Sequence, residues 1–139
     1  MSARIAGLFL SKGGVPKLPI EEAQITELGI AGDVQRDRRY HGGPQRALCL
    51  YSREVIEFLN GEGHPIAPGS TGENVLIEGL DWNLIVPGVR LQLGEVVVQI
   101  TSYTTPCFKI RDSFLEGDFN RVHHKKHLGL SRVYARVVK

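Results

Sequence analysis

The chain has 139 residues, 17 Lys+Arg against 15 Asp+Glu for a formal charge of +2, and hydrophobic residues at 42%. This is the size of one ordinary domain with enough apolar content for a buried core, and its near-balanced charge argues against a general nucleic-acid or membrane-surface binder. Sixteen glycines and seven prolines make up about a sixth of the chain against a usual ~12%, which predicts many tight turns and disfavours a helix bundle.

In chain order, residues 4–10 read as a first strand. Residues 23–28 read as a second, with Ala23 and Ile25 alternating against Gln24 and Thr26. Residues 29–44 are polar and glycine-rich, carry Asp33, Arg36, Asp37, Arg38, Arg39 and His41, and read as a long loop of the kind that is often functional. Residues 47–51 form a short apolar strand. Ser52 then caps a helix through Asn60, with Glu54 in the first turn, Val55, Ile56 and Leu59 on one face, and Gly61 placed to end it. From Pro68 onward, turn signals at Pro68-Gly69, Gly79, Pro87-Gly88 and Gly94 separate strands at 74–77, 90–93 and 96–101. Short strands at such spacing predict an antiparallel barrel or sandwich. Helical stretches are expected at 109–115 and 119–128, and a last strand at 133–138. The apolar run at 5–10 leads into Gly13-Gly14-Val15-Pro16-Lys17 rather than a cleavage site, and no run approaches the ~20 residues of a spanning helix. With only two cysteines, Cys49 and Cys107, a reducing cytoplasmic setting is expected.

Cys107 follows a hydroxyl-rich turn and a proline at an expected helix start, with Lys109 and Arg111 nearby in sequence. Cations and helix N–H groups favour thiolate, which is both a nucleophile and a soft metal ligand; a small buried hydrophobe is the competing reading. Cys49, between Leu48 and Leu50, reads as core. The Arg38-Arg39-Tyr40-His41-Gly42-Gly43 run offers cations, an imidazole and glycines for an anion, or is a solvated turn. Asn74, in Pro68-Gly69-Ser70-Thr71-Gly72-Glu73-Asn74-Val75, can bond a heterocycle edge or serve the turn. His123 and His127, four apart, would share a helix face suited to zinc, but Arg121, Lys125 and Lys126 around them favour a solvated basic face.

Together, Gly32-Asp33, His41-Gly42-Gly43, Gly72-Glu73-Asn74-Val75 and Thr104-Thr105-Pro106-Cys107, in that order and spacing, closely resemble the MOSC family, the domain first described at the C-terminus of molybdenum-cofactor sulfurase. The resemblance runs from about residue 5 to residue 138. It implies a mainly β, barrel-like fold with a few helices, one domain over residues 1–139 that is short at its C-terminal end. Relatives continue beyond Tyr134-Ala135-Arg136-Val137 into a glycine turn and a further short strand, where this chain stops at Lys139. It also implies a pterin molybdenum cofactor, with Cys107 as the protein's sulfur ligand to the metal. Lys17, Arg39, His41, Asn74, Thr104, Thr105 and Arg121 would hold the cofactor, and His41 would supply the proton for the departing water. Small stand-alone relatives reduce N-hydroxylated bases and amidoximes to amines, with electrons from a separate flavin or iron–sulfur protein. This chain has no cysteine cluster for an iron–sulfur site of its own. Two other readings remain: a sulfur carrier using a Cys107 persulfide, and a non-catalytic protein that binds or stores the cofactor.

Overall fold

The computed structural model describes residues 3–11, 15–32 and 44–138. Asp33, Arg36, Asp37, Arg38, Arg39, His41, Gly42 and Gly43 of the expected functional loop lie outside the described residues. Alternating and β-branched segments become strands β1 (Arg4–Leu10), β2 (Leu18–Ile20), β3 (Ile25–Thr26), β4 (Gly29–Ile30), β5 (Leu48–Ser52), β6 (Val75–Glu78), β7 (Arg90–Leu93), β8 (Val96–Tyr103) and β9 (Val133–Val137). Seven of them form one curled, half-barrel sheet in the order β2-β1-β6-β5-β9-β8-β7, and β3 pairs with β4 in a small hairpin. The fold is mainly β, as the sequence implied.

All neighbours in the large sheet run antiparallel except β5 and β6. A parallel pair needs a crossover, and this one contains α1 (Arg53–Gly61). Ser52 caps α1 by accepting the Val55 N–H at 3.2 Å, and Val55, Ile56 and Leu59 face inward. Gly61 stays helical; the left-handed residue that follows the helix is Gly63, at φ 99°. Among the described residues, no helix is long and apolar enough to cross a membrane.

Register sorts the sheet into two faces. Leu50 lies opposite both Val75 and Val133, and Ala135 opposite both Leu48 and Ile100, so these side chains meet on one face and join the apolar core. The intervening positions place Cys49 opposite Tyr134 on the other face. Both are buried with the core residues, although outside the main packed cluster. Cys49 is therefore a buried core residue, as expected, with Asn74 and Thr104 as polar neighbours.

Several expectations change. The strand expected at 23–28 is instead the β3–β4 hairpin, because the chain turns at Glu27-Leu28 and Gly29 (φ 114°) then runs so close to the Ala47 carbonyl that a Cβ would overlap it. β2 contains Pro19, which a sheet edge tolerates. The segments expected as helices near 109–115 and 119–128 form 3-10 turns at Phe108–Ser113, Leu115–Gly117 and Phe119–Val122. Phe114 returns to extended backbone, and Glu116 and Gly117 adopt positive φ, which stops an α-helix from propagating.

Candidate functional site

The Cys49 face is built by chain segments that enter or leave the sheet beside it. Asn74, just before β6, makes reciprocal bonds with Cys49: its own N–H donates to the Cys49 carbonyl (2.7 Å), and its Oδ1 accepts the Cys49 N–H (3.0 Å). On its other side, its carbonyl accepts the Phe9 N–H (2.8 Å) and its Nδ2 donates to the Phe9 carbonyl (3.3 Å). Asn74 thus uses side chain and backbone together to clamp the loop between β1 and β5. Glu73, fully buried, accepts the Gly69 N–H (2.8 Å) and the Thr71 hydroxyl (2.9 Å), folding that loop on itself. Gly69 in turn receives the Lys17 N–H (2.9 Å), which seats the buried Lys17 against the loop.

Thr104 follows β8 beyond a bulge between Ile100 and Ser102, the kind of irregularity that re-aims side chains near sites. Its N–H donates to the Arg132 carbonyl (2.9 Å), and its hydroxyl lies 3.7 Å from the Cys49 Sγ. Burial pushes the Cys49 thiol above its usual range, opposed by the positive charge of Arg132, the Thr104 contact and Lys17. Burial likewise raises Tyr134, where Cys49 and Cys107 both oppose further negative charge and Arg132 and Arg46 favour it. Lys17, Asn74, Thr104 and Cys107 are thus brought to one region.

Cys107 is half-buried and sits at the start of the Phe108–Ser113 turn. That turn is docked onto the Glu73 loop, because Ser113 Oγ donates to Ser70 Oγ (2.8 Å). The α-helix expected after Cys107 is absent, and Arg111 donates to the Phe108 carbonyl (3.0 Å) with its guanidinium over the Phe108 ring. Thr105 is exposed. Arg121 is held elsewhere by both carboxylate oxygens of Glu62, at 2.9 and 2.7 Å, beside the end of α1. The Arg39 and His41 expectations lie outside the described residues. The His123–His127 segment forms no helix face; His124 stacks on Tyr103 with ring centroids 4.5 Å apart, and among the described residues no group of three His, Cys, Asp or Glu could hold a metal ion.

The MOSC domain profile matches residues 37–139. The chain belongs to the MOSC family. It is 35% identical over 106 residues to Protein YiiM of Escherichia coli (strain K12), covering 72% of this chain and 47% of that protein. It is 31% identical over 131 residues to Uncharacterized protein YflK of Bacillus subtilis (strain 168), covering 91% and 57%. The crystal structure of YiiM from Escherichia coli superposes with a TM-score of 0.72 at 25% identity, over 99% of this chain and 63% of that one. The chain spans about half the length of the curated relatives it matches.

Within this MOSC domain, Arg132 is the site residue that sequence reasoning missed. It is almost fully buried, beside Thr71 and within electrostatic reach of Cys49. The available signal was a cation two positions before Tyr134, at the entrance to an otherwise apolar strand.

Proposed function

We propose that this MOSC protein binds a pterin molybdenum cofactor at the Cys49 face of its sheet and reduces N-hydroxylated bases or amidoximes to amines. What carries the reading is convergence: separate segments bring Lys17, Asn74 and Thr104 around Cys49, with the half-buried Cys107 in the same turn as Thr104. The residues suit such a group. A thiol is the soft donor that a sulfur-bound metal takes, and buried cations suit a phosphate.

Bound there, the cofactor would supply two-electron redox chemistry at a sulfur-ligated metal. Cys107 would provide the protein's thiolate and anchor the metal. Lys17 would neutralise negative charge from within the wall, while Asn74 and Thr104 act through Cys49 by fixing the strand and turn that frame the site. Thr105, exposed in the same turn, is available for a polar contact, and Arg39 and His41 enter as a cation and as the proton donor. Arg121, paired with Glu62 at the end of α1, would take no direct part in this contact set. Electrons would come from a separate flavin or iron–sulfur protein in the cytoplasm.

The test is reduction of an aromatic amidoxime by protein from a cofactor-competent host supplied with a reductant. Wild type should bind molybdenum and turn over, and Cys107→Ala should lose both. Retention of both by Cys107→Ala contradicts the assignment. One extra sulfur on Cys107 without molybdenum would instead mark a sulfur carrier, and bound molybdenum without turnover a storage protein.

A further inference from the structure

Arg132, immediately before β9, is 5% exposed, and among the described residues its side chain makes one hydrogen bond, from Nη1 to the Thr71 carbonyl at 2.6 Å. Among the described residues, its Nε is buried without a hydrogen-bond partner. Among the described residues, no carboxylate lies within ion-pair distance of it. Glu73, the buried acid of the same region, has one oxygen on the Gly69 N–H and the other on the Thr71 hydroxyl. Buried charges in folded proteins are ordinarily paired, because desolvation disfavours a lone ion strongly.

The backbone that presents this cation is fixed at three successive carbonyls. Tyr51 Oη donates to Leu130 (2.6 Å), Trp82 Nε1 to Ser131 (2.7 Å), and both the Thr104 N–H (2.9 Å) and Ser131 Oγ (2.7 Å) to Arg132. Buried aromatic donors therefore hold the segment in place, and the guanidinium is presented from a rigid support. Lys17 is a second buried cation, and among the described residues both act on Cys49 alongside the acid Glu73.

We infer that Arg132 is an oxyanion-binding residue whose guanidinium, through Nε and its remaining N–H groups, receives a phosphate-class group. A guanidinium donates to two oxygens of such a group at once, which a lysine cannot do. The inference rests on the functional reading above for its ligand, the phosphate of the cofactor; inorganic phosphate presents the same chemistry.

The test uses full-length protein from a cofactor-deficient host, with its melting temperature followed against inorganic phosphate and against sodium chloride at equal ionic strength. Wild type should show a saturable rise with phosphate beyond that with chloride. Arg132→Gln should lose it, with apparent phosphate affinity falling about ten- to a hundredfold. Equal responses of wild type to phosphate and chloride overturn the inference without any variant, as does an undiminished phosphate response in Arg132→Gln. If Arg132→Gln does not fold, the Nε–H resonance of Arg132 in wild type, identified with Arg132→Lys, serves instead: a phosphate-dependent shift upholds the site and an unmoved signal overturns it. Cys107→Ala should keep the phosphate response even though it loses molybdenum, which separates this inference from the functional reading. Cofactor-loaded protein that no longer responds assigns the site to the cofactor's phosphate, and one that still responds assigns it to free phosphate; both uphold an oxyanion site.

Discussion

Burial holds the Cys49 thiol above its usual range, so it stays protonated at neutral pH, while Cys107 is reachable from solvent. Because thiolate is the species that alkylates, brief iodoacetamide treatment of the folded protein should mark the peptide containing Cys107 and leave Cys49 unmarked until denaturant is added. Equal labelling of both in the folded state contradicts the enclosed position of Cys49. Asn74 belongs to the same scale. Replacing it with alanine removes the acceptor for the Cys49 N–H and the donor to the Phe9 carbonyl, and each buried group left unsatisfied costs about 1–3 kcal/mol. Asn74→Ala should lower the urea midpoint accordingly, and an unchanged midpoint would show that the clamp contributes nothing.

Among the elements, the β3–β4 hairpin depends on Gly29. Its φ of 114° and its approach to the Ala47 carbonyl leave no room for a side chain, and a strained backbone conformation costs about 1–3 kcal/mol even before the overlap is relieved. Gly29→Ala should therefore destabilise the fold by at least that much in chemical denaturation; wild-type stability would contradict the close approach. The end of α1 is tied to the Phe119–Val122 turn by Glu62 and Arg121. The Arg121 hydrogen bonds hold the Glu62 carboxyl below its ordinary value of 4.5. Since the folded state binds that proton less readily than the unfolded chain, the pair stabilises the fold above about pH 4.5 and is lost as pH falls through the depressed value. Glu62→Gln should flatten the acid limb of a stability–pH curve and leave its neutral-to-alkaline shape unchanged. A curve of identical acid slope would remove the pair from the account.

Across the whole molecule, what was legible in the sequence was local. The apolar run of β1, the turn-bounded strands β7 and β8 and the Ser52 cap follow from hydrophobic patterning, turn residues and capping chemistry within a few residues. The parallel β5–β6 pair and the seven-strand order depend on contacts between distant segments, to which periodicity is blind. The same division runs through the site. Cys107 and Asn74 stood out because their motifs are contiguous, whereas Arg132 acquires meaning only when β9 is laid beside β5 and its side chain meets Thr71. For Cys49, an apolar sequence neighbourhood predicted core and the fold buries it there, but its polar neighbours Asn74 and Thr104 come from distant segments that the local sequence does not show.

The central claim is that Cys107 anchors a molybdenum centre on the Cys49 face. Its most direct test is the molybdenum content of purified wild-type protein and Cys107→Ala from a cofactor-competent host, alongside wild type from a cofactor-deficient one. The account predicts molybdenum in the first sample and its loss in the other two. Equal, negligible molybdenum in all three, or equal loading of Cys107→Ala and wild type, would contradict it.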